Sequence, residues 1–208
     1  MLLPQPLGEG EFAGYYVCMA KKKTLPAADA LFKSAFADIV ENGASKLSIA
    51  RVAEDLNIEE ALLAPVFNDL PSLALAFGRY VDVKIAKDVG KPSDEPARDR
   101  LFEALMARFD VLQDYRDGIE AVLKYARREP PFLQLLLSRV PYAMEHILEV
   151  VGVKAKGPRG RLQVAGLSLV YLRAYRVWSK DDSDDMAKTM ASLDKSLKDA
   201  DSIARRFF

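Results

Sequence analysis

Apolar residues recur at steps of three and four from Leu31 almost to the end of this chain. Nowhere do they alternate strictly with β-branched enrichment, so the chain can bury them only by packing helix on helix. Leu31, Phe32, Ala35, Phe36, Ile39 and Val40 stripe a first helix that opens near Pro26 and stops at Asn42-Gly43. Ser48 caps a short second helix, which Asn57 breaks; a third apolar segment covers 61–67, and Pro71 begins a longer helix running toward Asp88. Past the Gly/Pro-rich stretch 90–96, Leu101, Phe102, Leu105, Met106, Phe109 and Leu112 stripe one helix, and Ile119, Val122, Leu123 and Ala126 another. A further helix follows Pro130-Pro131 and is expected to bend at Pro141. The helix over 162–178 is mostly apolar, and the last begins at the acidic cluster 181–185, where negative charge suits a helix N-terminus. The expected fold is all-α, with about nine helices.

Charge and rare residues exclude several functions. Thirty basic residues balance thirty acidic ones across 208 positions, so attraction to nucleic acid would have to come from a local patch. Cys18 is the only cysteine and His146 the only histidine, which rules out an internal disulfide and a Cys/His metal cluster and fits a reducing, cytoplasmic setting. No run of about 18 apolar residues exists, so stable membrane insertion is not expected. Residues 1–18 lack the pattern of a signal peptide, and Met19 reads as a translation start followed by a basic arm, Lys21, Lys22 and Lys23. His146 has no acid–base partner nearby in sequence, Cys18 precedes the first helix, and no Gly-rich phosphate loop follows a strand. The acids of 181–185 lack the Gly turn and later Glu of a calcium loop and read as a helix cap. Neither an enzyme nor a metal or cofactor site is expected.

Residues 28–82 carry a resemblance. Glu41-Asn42-Gly43 ends the first helix, Ser48 caps the second, Val52-Ala53 packs its inner face, Ile58 follows the turn, and Leu63 and Phe67 anchor the third. In this register the segment resembles the DNA-binding domain of the tetracycline-repressor (TetR) family. The resemblance implies a helix-turn-helix head with Ser48, Arg51, Glu59, Glu60 and Ala64 toward DNA, and by charge Lys21, Lys22, Lys23 and Lys46 are expected to face DNA from its flanks. It also implies a larger C-terminal helical domain that binds a ligand and dimerises. The family's usual turn glycine is Asn57, a residue that accepts left-handed geometry. Its polar and tyrosine contact positions hold Glu59, Glu60, Ala64 and Pro65, and the lysine before its fourth helix is Leu70. Over 48–70 one base, Arg51, faces five acids, Glu54, Asp55, Glu59, Glu60 and Asp69, a sign opposed to docking on phosphate.

The C-terminal half has a second resemblance. Trp178-Ser179-Lys180-Asp181-Asp182-Ser183-Asp184-Asp185, with Thr189 and Leu193-Asp194, is similar to the C-terminal signature of the ninth COQ accessory family of ubiquinone biosynthesis. Asp99-Arg100-Leu101-Phe102 and Tyr115-Arg116 share in it. That likeness implies a TetR-like fold holding lipid or isoprenoid without DNA binding. An apolar pocket is expected among Phe102, Met106, Phe109, Tyr125, Phe132, Tyr142, Met144, Tyr171, Tyr175 and Trp178, whose rings and thioethers can mould round a greasy ligand. Met186, Met190, Leu193, Leu197 and Ala200 form a narrow seam on the last helix, expected to pair with a second copy in a two-fold homodimer. The expected division is an arm over 1–23, a helix-turn-helix domain over 24–89 and a ligand-binding and dimerisation domain over 90–208. Two functions follow: a regulator whose DNA binding an apolar effector modulates, or a DNA-independent lipid-binding accessory protein.

Overall fold

The computed structural model describes residues 24–90 and 94–207. Among these are eight α-helices and no strand: α1 Ala28–Asn42, α2 Ile49–Asp55, α3 Leu70–Val89, α4 Ala97–Gln113, α5 Arg116–Ala126, α6 Pro130–Val150, α7 Gly157–Trp178 and α8 Ala187–Phe207. Lys21, Lys22 and Lys23, expected as a basic arm, and Met19, expected as a translation start, lie outside the described residues.

The helix boundaries follow from local chemistry. Gly43, at φ +91°, ends α1 as its N–H bonds to the Ile39 carbonyl. Asp69 caps α3: its side chain accepts from the Ser72 N–H while the Ser72 hydroxyl receives the Asp69 N–H, and Pro71 occupies the first turn, where a missing donor costs nothing. Pro141 sits within α6, which continues through it.

The ninth expected helix is absent in its place. Residues 60–62 form a single 3-10 turn, and the chain then continues in turns to Phe67. The cause is visible in the backbone: Leu62 N bonds to Glu59 O, Leu63 N to Glu60 O and Val66 N to Leu63 O at three-residue spacing, four-residue bonds are confined to Ala64 N to Glu60 O (3.4 Å) and Phe67 N to Leu63 O (3.0 Å), and Pro65 between them has no N–H to donate.

One continuous core joins the head to the body. Phe32 and Phe36 of α1, Phe77 and Tyr80 of α3 and Tyr115 just before α5 form an aromatic cluster with ring centroids 4.8–6.2 Å apart, four of the seven ring pairs edge-to-face and three tilted. Helix α3 therefore belongs to both expected domains, packing on α1 through this cluster and on α4 and α6 along its length.

The acidic cluster before α8 works as a cap. Asp181, fully buried, accepts from the Thr189 N–H (2.8 Å), the Thr189 hydroxyl (2.7 Å) and the Ser183 hydroxyl. Burial opposes its ionisation, yet these hydrogen bonds hold its carboxyl well below the usual carboxylate range. Arg116 donates to the carbonyls of Asp181 (2.7 Å) and Trp178 (3.2 Å) and so ties the start of α5 to the turn after α7, whereas Tyr115 faces Asp29 of α1.

Candidate functional site

Two regions are candidate sites: the surface of the head, over 44–70, and a cavity beside α3. In the head, Ser48 starts α2 and its hydroxyl accepts from Arg51 N, while Asn57 adopts the left-handed conformation at φ +51°. Glu54, Asp55, Glu59, Glu60, Asp69 and Ala64 are all exposed. The single base of the segment is engaged internally. Arg51 grips Asp38 of α1 with two guanidinium nitrogens, Nη2 reaching Oδ2 at 3.1 Å, and also donates to the Lys46 carbonyl. Asp38 in turn receives the Ser48 N–H at 3.0 Å. Burial raises the Asp38 carboxyl, but Arg51 and the Ser48 N–H outweigh it and hold the group below its ordinary value. Among the expected DNA-facing residues described here, Lys46 alone offers an exposed cation that forms no ion pair with a described residue.

A cavity of about 270 Å³ lies among α3, α4, α5, α6 and α7, and Phe36 of α1 reaches it. Leu73, Phe77, Leu112, Val122, Leu136, Val140 and Tyr171 form most of its apolar wall. Gly78 lines it as well, and a Cβ placed there would meet nothing within 4 Å. The charged lining consists of Arg79 and Asp82 on α3, Arg108 on α4 and Arg139 on α6. Arg108 is buried; its Nη1 donates to Asp82 Oδ1 at 2.6 Å, and its guanidinium lies 5.6 Å from the centroid of the Tyr171 ring. Nε of Arg108 is closed to solvent and has no acceptor. His146 reaches the Asp82 backbone carbonyl with Nε2 at 3.2 Å, so it braces α3 against α6.

Several expected pocket residues lie elsewhere. Tyr171 and Tyr175 line the cavity. Phe109, Met144 and Trp178 are fully buried core, with Phe109 stacked on Tyr171 at 5.6 Å and Trp178 Nε1 donating to Gln113 Oε1 at 2.9 Å. Phe102 and Met106 pack against that core. Tyr125 and Phe132, with centroids 6.1 Å apart, line a second, more polar cleft shared with Leu47, Asp69 and Pro71 of the head. Tyr142 is 59% exposed beneath Arg139.

The seam of the last helix also faces inward. Met186, Leu193 and Leu197 are buried within this chain, chiefly by α7, and Ala200 packs partly against the same core. Met190 alone of that set is exposed. A helix seam needs a partner face, and here α7 of the same chain supplies it. The apolar stripe left open is on α7 itself, where Leu162, Leu169 (70% exposed) and Leu172 recur at helical spacing beside Ala165 and Gly166.

Sequence reasoning passed over Arg108, Asp82 and Gly78. A signal for Arg108 was present: it shares the stripe of Leu105, Phe109 and Leu112, and a charged side chain on the apolar face of an amphipathic helix calls for a buried partner.

No family model and no curated protein sequence matches the chain. Among solved structures it is similar to the TetR transcriptional regulator from Nitrosomonas europaea ATCC 19718, with a TM-score of 0.69 and 18% sequence identity, over 86% of this chain and 99% of that one. The fold is TetR-like and all-α. No helix among the described residues is long and apolar enough to cross a membrane.

Proposed function

We propose that this protein is a ligand-responsive regulator of the TetR type. An apolar small molecule enters the cavity beside α3, and that helix carries the change to the head and alters its binding to DNA. The course of α3 supports this reading. Its capped first turn follows the reading segment directly, and its middle, from Leu73 to Asp82, walls the cavity. A population shift needs a ligand that favours one position of such an element, and a cavity lined by the element supplies that preference. The open stripe Leu162, Leu169 and Leu172 on α7 fits a two-fold partner helix, which would set the spacing of two heads in a homodimer. No catalytic role is assigned to any residue.

A second reading, the DNA-independent lipid-binding accessory protein, is favoured by one observation: Arg51 is spent on Asp38, leaving the segment over 48–70 with exposed acids. Titrating labelled DNA from the protein's own promoter at 50 and 200 mM salt separates the two. A specific complex that weakens when an apolar ligand is added supports the regulator. Absence of any sequence-specific complex even at 50 mM salt, with ligand binding intact, supports the accessory protein.

A further inference from the structure

We infer that the cavity ligand is an amphipathic anion, an apolar body carrying one carboxylate or comparable acidic group. This deepens the ligand-binding reading above and rests on it. The charged lining is unbalanced: three arginines, Arg79, Arg108 and Arg139, face a single acid, Asp82. Asp82 is already engaged with Arg108 Nη1, and Arg108 keeps a solvent-inaccessible Nε–H without an acceptor. Arg79 and Arg139, both exposed, form no ion pair with any described residue; Arg139 rests only on the Tyr142 ring, 4.4 Å from its guanidinium carbon. A buried guanidinium in an apolar wall is costly unless every donor is met, and its planar fork matches the two oxygens of a carboxylate. A neutral apolar ligand would leave the buried Arg108 Nε–H unmet and make no use of the two exposed guanidiniums at the rim, and a cation would be repelled by them. An acid whose tail lies along the apolar wall answers both features of the cavity at once.

Size narrows the class further. A cavity of about 270 Å³ is roughly twice the ~150 Å³ that encloses benzene. A body of roughly ten to twelve non-hydrogen atoms fills such a volume, as a medium-chain or aromatic acid does.

The test is calorimetric titration of the full chain with decanoic acid and with decanol, the same tail with and without the acid. The acid is expected to bind at least ten-fold more tightly than the alcohol. That preference is expected to shrink several-fold in the Arg79→Ala/Arg139→Ala double variant, whose exposed side chains are not part of the core. It is also expected to shrink in Arg108→Met/Asp82→Asn, which removes the buried pair together so that neither charge is stranded; circular dichroism checks that both variants fold. Equal binding of acid and alcohol would overturn the anion assignment while leaving the ligand-binding reading standing. An acid preference undiminished in both arginine variants would also overturn it. Binding of neither molecule would overturn the ligand-binding reading for bodies of this size, and this inference with it.

Discussion

The Tyr115 hydroxyl donates to the Asp29 carboxylate at 2.7 Å, joining residues 86 positions apart and fastening α1 to the start of α5. Tyr80 of α3 donates to the same oxygen at 3.3 Å, so α1, α3 and the start of α5 converge on one carboxylate. Hydrogen bonds from Tyr115 and Lys33 hold Asp29 below its ordinary value, while burial pushes the Tyr115 phenol well up. Tyr115→Phe removes one bond to a charged, partly exposed acceptor. We expect a loss of about 1 kcal/mol in urea unfolding and an upward shift of the Asp29 titration followed by NMR. An unchanged Asp29 titration would mean that the bond is not made in solution.

Gly118 brings α5 onto α1 so closely that a Cβ there would lie 2.5 Å from the Phe36 Cβ. Gly118→Ala is expected to destabilise by about 1–3 kcal/mol, as overpacking does, despite alanine's better helix propensity. A stabilised variant would show that this interface has room to give.

Arg51 separates a structural role from a DNA-reading one. Arg51→Ala strips the bidentate partner from a nearly buried Asp38. The arginine is itself half-exposed, so we expect a modest loss of about 1–2 kcal/mol. Any low-salt DNA affinity should change less than two-fold, and its salt slope should stay as it was. A slope reduced by about one unit would instead mark Arg51 as a phosphate contact.

The carboxylates predict the direction of acid sensitivity. Asp29, Asp38, Asp69 and Asp181 all titrate below their ordinary value when folded. The unfolded chain therefore binds protons first, near pH 4. Their stabilisation is complete above that pH and drains away as pH falls through it toward the folded values. Asp110, raised by burial and by Asp114, works in the opposite sense. The urea midpoint is expected to fall below about pH 4. In Asp181→Asn it should be lower at pH 7 and decline less steeply on acidification. A parallel acid limb in the variant would refute the role given to Asp181.

Much of the fold was legible from apolar spacing, because a stripe at helical steps reports that a face is buried. It does not report what buries it, and so Met186, Leu193 and Leu197 read as a dimer seam although α7 of the same chain covers them. The register of the 48–70 segment was legible through Val52, Ile58, Leu63 and Phe67, all partners in one core. That residues 61–67 form turns and not the expected helix was foreshadowed only by Pro65. The cavity was the least legible feature, since a cavity is where side chains fail to meet, and residue types chosen for ring size pointed mainly to filled core. Gly78 and Arg108 mark it better: one leaves space within a helix, the other carries charge into an apolar stripe.

Gly78 also provides the most direct test of the cavity as a ligand site. Gly78→Leu fills open space at the cavity wall and replaces a helix-interior glycine by a strong helix former, a gain of up to about 1 kcal/mol. Calorimetric titration of decanoic acid into wild-type and Gly78→Leu protein, with unfolding midpoints measured alongside, is expected to show binding lost in a variant at least as stable as the wild type. Undiminished binding in that variant would place the ligand elsewhere and contradict the account.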